Sequence, residues 1–121
     1  MRPHSAAGDT ALTHAIRDNF GKFRGRVEVD CLDRSDWASV TFTGAQHRLR
    51  VRLDGEGAAG AAADFLAAMG ERELSMPGHI VADLALLAQE RDGRGAYVAL
   101  DLEVLTIEDR WPLSPGGERN A

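Results

Sequence analysis

Arg48-Leu49-Arg50-Val51-Arg52-Leu53 alternates arginine with aliphatic residues without a break, which is the period of a half-buried strand. Leu49, Val51 and Leu53 must face a core, and the three arginines must face away from it. Neighbouring segments can be registered against those two faces. Residues 26–32 carry Val27, Val29 and Cys31 on one side, and residues 37–43 carry Ala38, Val40 and Phe42 on one side. Gly44-Ala45 suits a two-residue type II′ turn, which places Gly first. That turn predicts Val40 opposite Leu49, Phe42 opposite His47 and Ala38 opposite Val51. A loop over residues 33–36 then predicts Val29 opposite Val40, Val27 opposite Phe42 and Cys31 opposite Ala38. A slip of one residue would turn the apolar set outward, so the register is strongly constrained.

The other face of these three predicted strands is ordered too. Glu28, Thr41 and Arg48 form one expected row, and Asp30, Ser39 and Arg50 form the next. Leu32, Trp37 and Arg52 form a third, with Trp37 placed for a cation–π contact with Arg52.

Two helices flank the strands. Asp9 or Thr10 can cap the first, Leu12, Ile16 and Phe20 recur on one face of it, and Gly21 stops it. The second covers residues 58–69, with Ala58, Ala62, Phe65, Leu66 and Met69 as its apolar stripe and Gly70 at its end. Met76-Pro77-Gly78-His79 reads as a type II turn. Residues 80–89 are apolar almost all round. They could form a strand or a helix; the strand is favoured because Asp92-Gly93 follows and suits a hairpin, with residues 97–107 as the return strand. A bulged loop over residues 91–93 predicts Leu84 opposite Leu100 and Leu86 opposite Val98. Ile80, Ala82, Leu84, Leu86, Val98, Leu100, Leu102 and Val104 then share the core face. Asp83, Asp101 and Glu103 fall on the opposite face with Val81, Leu87, Tyr97, Leu105 and Ile107.

The predicted class is α+β: an antiparallel sheet of about five strands, in the order α-β-β-β-α-β-β, with helices packed on it. The layout is similar to that of small acidic secretion-chaperone domains. The resemblance is one of element order and implies a dimer.

The length of 121 residues fits one domain with a core of its own. It is read as residues 9–112, between loose tails at 1–8 and 113–121. The formal net charge of −5 disfavours nucleic acid and anionic membrane surfaces, since both reward basic patches. All the basic residues but Lys22 are arginine, as a GC-rich genome produces. The single cysteine, Cys31, excludes an internal disulfide and fits a reducing, cytoplasmic compartment. No signal peptide is expected, because residues 1–11 lack an apolar segment.

Four constellations could carry chemistry. Gly55-Glu56-Gly57-Ala58-Ala59-Gly60 is a literal G-x-G-x-x-G, the pattern of a dinucleotide loop. Asp54 and Glu56 would put carboxylates where phosphate must sit, and the half-arginine strand before it is not the doubly buried strand such a fold requires. It reads as a turn that makes no phosphate site. The four histidines do not cluster; on a strand His79 and Asp83 stand about 13 Å apart, too far to share a metal. Ser39 and Thr41 share a face with Asp30 and Glu28, but His47 points the other way and Cys31 lies on the order of 15 Å from it. Neither hydroxyl nor thiol has an activating base. Asp83, Asp101 and Glu103 are the one group with pull, either as an acidic ligand site with His79 or as counter-charges to arginine.

These features predict a non-catalytic interaction module, adaptor- or chaperone-like and homodimeric, with Trp37, Arg48, Arg50, Arg52, Tyr97 and Leu105 at its interface. Aromatics and arginine are what interface cores use. The expected partners are a second copy and a protein; no nucleic acid, membrane, cofactor or metal is expected. The alternative is a small-ligand or enzyme site built from His79, Asp83, Asp101 and Glu103. The first helix could instead cover the mixed face, and its position therefore decides between an interface and a second core.

Overall fold

The computed structural model describes residues 3–69 and 78–108, with side chains from Thr10 onward. In chain order it holds α1 (Pro3–Asp18), β1 (Arg26–Ala38), β2 (Thr43–Asp54), α2 (Ala58–Ala68), β3 (His79–Arg91) and β4 (Tyr97–Glu108). The class is α+β, with one antiparallel sheet ordered β1-β2-β4-β3. It has four strands rather than five. The two segments expected at 26–32 and 37–43 are largely one strand. The polar run Asp33-Arg34-Ser35-Asp36 continues β1 instead of looping, because Leu32 bulges out between Cys31 and Asp33. A bulge shifts the inside–outside phase by one residue without ending the strand.

The turn also moves. Gly44-Ala45 is not a turn; both residues pair inside β2, with Trp37 and Asp36. The reversal is Ser39 to Phe42, where the Ser39 hydroxyl accepts from the Phe42 amide at 3.1 Å and the Ser39 amide donates to the Phe42 carbonyl at 2.7 Å. Val40 and Phe42, expected in the core opposite Leu49 and His47, are therefore exposed. Leu49, Val51 and Leu53 instead face Cys31, Val29 and Val27 on one side and Leu102, Leu100 and Val98 on the other. The arginine alternation is right about faces and wrong about neighbours.

Both helices lie on the aliphatic side. Leu12, Ile16 and Phe20 of the α1 segment join Ala58, Ala62 and Phe65 of α2 and the sheet aliphatics in a single cluster. The Phe20 and Phe65 rings stack at 4.8 Å between centroids and tie the two segments together. Leu49, Leu53, Leu100 and Leu102 are fully buried there, each worth roughly 1.5–3 kcal/mol. The helix α1 starts at Pro3, inside the segment read as a tail and ahead of the expected cap at Asp9 or Thr10. Proline suits a first helical turn, where its missing N–H has no partner to lose. Met76-Pro77, Gly70 and the tail at 113–121 lie outside the described residues.

Residues 80–89 form a strand, as expected, but in another register. Leu84 faces Val104 and Leu86 faces Leu102, with irregularities at Val81/Asp83 and Leu86/Ala88. The hairpin loop is longer than expected. Arg91 pairs with Val98, and Asp92 Oδ1 accepts the amides of Ala96 and Tyr97 at 2.9 and 3.3 Å. The bulge between Val81 and Asp83 swaps the expected faces of Ile80 and Val81. Val81 packs toward the core and Ile80 stands on the other side.

Candidate interaction face

The register sets a charge pattern on the side of the sheet that neither helix covers. Three rows across β1, β2, β4 and β3 read Asp33–Arg48–Glu103–Ala85, Asp30–Arg50–Asp101–Ala88 and Glu28–Arg52–Ala99–Glu90. Acids of β1 thus flank all three arginines of β2, and acids of β4 flank Arg48 and Arg50. The expected rows through Thr41 and Ser39 do not exist, because those residues lie in the turn. Acid and arginine are direct neighbours instead.

Arg50 Nε and Nη2 donate to the two oxygens of Asp101 at 2.8 and 3.4 Å. This pair holds the Asp101 carboxyl below the usual carboxylate range, with partial desolvation acting against it and the charge on Arg48 assisting. Arg52 Nη2 donates to Asp30 at 2.7 Å and lies 3.1 Å from Glu28, while its Nε is buried without a partner. Arg48 is exposed between Asp33 and Glu103, and among the described residues it forms no ion pair.

A depressed carboxyl pKa adds stability above the unfolded value of about 3.9 and loses it as pH falls through the folded pKa. Replacing Arg50→Met is therefore expected to raise the Asp101 pKa toward the ordinary range and to flatten the acid limb of stability below about pH 4. Carboxyl-detected NMR titration of both chains checks this; an unchanged Asp101 pKa would refute the pairing.

The apolar residues of this face gather at one end. Trp37, Gly44, Ile107 and Ile80 form one row, and Leu105 stands in the next with Gln46, Ser35 and Asp83. The Trp37 ring lies over Gly44, far from Arg52, so the expected cation–π pair is absent and Arg52 faces Glu28. Tyr97 is at the other end, opposite Asp54.

The acidic-site residues are divided. Asp83, Asp101 and Glu103 share the helix-free face, whereas His79 pairs with Glu108 and joins His47 and Thr106 around a recess on the other side. That recess holds about 10 Å³, room for one water molecule at most. Among the described residues no three His, Cys, Asp or Glu side chains converge as a metal ion requires. His47 is 2% exposed, with Nε2 at 3.0 Å from the Thr106 hydroxyl. That hydroxyl also lies 3.3 Å from the Ala45 carbonyl, to which it can donate while accepting from Nε2. The histidine is a satisfied core residue. Its partner is 59 positions away, and no local signal in the sequence could have named it.

The glycine run serves the chain path. Gly55 and Gly57 take φ of 143° and 87°, which side chains with a Cβ rarely adopt, and Glu56 is exposed between them. No helix of the described residues is long and apolar enough to cross a membrane. Set against protein-family models, curated proteins and solved structures, the chain matches none of them.

Proposed function

We propose that the chain is a non-catalytic protein-interaction module, adaptor- or chaperone-like, that works as a homodimer through the helix-free face of its sheet. One observation carries this reading: both helices pack on the same side, so neither lies over the row of Trp37, Ile80 and Ile107 or over Leu105, of which Ile80 is exposed and the others are half-buried. Ile80 is 47% exposed. A contiguous apolar patch rimmed by charge marks an interaction surface. Arginines and acids around it supply the polar rim that such interfaces use. The acidic-site alternative loses its histidine to the other face, and Asp101 is already engaged by Arg50.

The expected mass in solution is twice 13.1 kDa at micromolar concentration. Leu105→Glu is expected to give a folded monomer, because the new carboxylate meets apolar surface at the interface while the core side is untouched. Sedimentation equilibrium with circular dichroism checks both. A wild-type monomer at high micromolar concentration would refute the proposal.

A further inference from the structure

We propose that the two copies stack about a two-fold axis running parallel to the strands between β2 and β4, so that Arg48 of each copy pairs with Glu103 of the other. This rests on the dimer read above and adds its geometry. A half-turn about such an axis exchanges left and right across the sheet and preserves position along the strands. β2 of one copy then lies over β4 of the other, and β1 over β3. The arginine column of each copy meets the acid column of its mate: Arg48 over Glu103 and Arg50 over Asp101. In the apolar row, Trp37 lies over Ile80 and Gly44 over Ile107.

Charge selects this axis. A two-fold perpendicular to the strands would set β2 over β2 and β4 over β4, arginine on arginine and acid on acid. An axis parallel to the strands but centred on β2 would do the same to the arginines. An axis between β1 and β2 would match signs, but it would leave Leu105, Ile107 and Ile80 outside the contact. Only the axis between β2 and β4 matches the central columns and buries the apolar row. It sets one like pair together, Glu28 over Glu90, at an outer row where solvent screens it.

The unpaired charges point the same way. Arg48 and Glu103 are register partners, yet among the described residues neither forms an ion pair. Arg50 and Arg52 are held within the chain. A partner thus finds one arginine and one carboxylate per copy at mid-sheet, available for reciprocal pairing. The face spans four strands at about 4.8 Å and eleven residues at about 3.3 Å, roughly 700 Å² per copy, near the lower end of stable interfaces.

The test uses exchanged charges. Arg48→Glu alone and Glu103→Arg alone each set like charges together twice across the axis, and each is expected to weaken self-association about a hundredfold. Mixing the two folded variants is expected to restore dimers, all of them heterodimers, because positions 48 and 103 then carry opposite charges at both crossings of the axis. The doubly exchanged chain keeps opposite signs side by side internally and serves where a single variant loses its fold. It is expected to dimerise with itself and to exclude the wild type, read by native mass spectrometry of mixed, isotope-labelled chains. Statistical mixing of the doubly exchanged and wild-type chains would overturn this axis while leaving the dimer standing. A wild-type monomer would overturn both.

Discussion

Leu49→Asp is expected to abolish folding, whereas Val40→Asp is expected to leave the melting temperature nearly unchanged. Leu49 is fully buried between Cys31 and Leu102. A carboxylate there finds no counter-charge among aliphatic neighbours, and an unpaired buried charge costs several kcal/mol. Domain stabilities of about 5–15 kcal/mol leave little to absorb that. Val40 sits at the tip of the β1–β2 turn, fully exposed, where substitutions stay within about 0.5 kcal/mol. Thermal unfolding by circular dichroism separates the two. Equal destabilisation would return Val40 to the core and refute the turn at residues 39–42.

The second large effect is at Gly44. A Cβ there would collide with the Thr106 carbonyl and meet the Trp37 ring at 2.8 Å. The carbonyl belongs to the neighbouring strand and cannot retreat without breaking the β2–β4 ladder. Gly44→Val is expected to cost at least about 3 kcal/mol, the upper range for overpacking. Gly60 is the control. A Cβ there meets nothing within 4 Å, and its position inside α2 makes Gly60→Ala a gain of roughly 0.5–1 kcal/mol. Denaturant midpoints moving in opposite directions would bear out both arguments; a silent Gly44→Val would refute the close approach.

The two faces of β2 were legible, and its neighbours were not. Strict alternation at residues 48–53 correctly divides arginine from aliphatic, because a pleated strand leaves no other choice. The path between strands depends on features with weak sequence signals. Leu32 bulges, so a polar stretch that resembles a loop stays in the sheet as an edge strand, where only one face needs cover. Val40 and Phe42 mimic a strand face, yet the Ser39 hydroxyl holds them in a turn. Gly44 mimics a turn, yet it is small because Trp37 lies on it. The shifted turn moved Trp37 away from Arg52, and the bulge between Val81 and Asp83 sent His79 to the far side from Asp83. The separation of the helices from the mixed face depended on where the α1 segment packs. Its stripe of Leu12, Ile16 and Phe20 fits either side of a sheet, and the Phe20–Phe65 stack that decides it joins residues remote in sequence.

The bulges have a consequence for assembly without limit. All three irregularities, at Leu32 on β1 and near Ala82 and Leu87 on β3, fall on the two outer strands; the β2–β4 ladder between them has none. An edge with a displaced residue cannot template a further strand in register. Lateral growth into a continuous sheet, the route to fibrils, is therefore blocked at both margins. The proposed association through the broad face would end with the second molecule, since a two-fold contact uses the same surface on both sides and leaves none to spare. The surface proposed for association is thus one where growth is self-limiting.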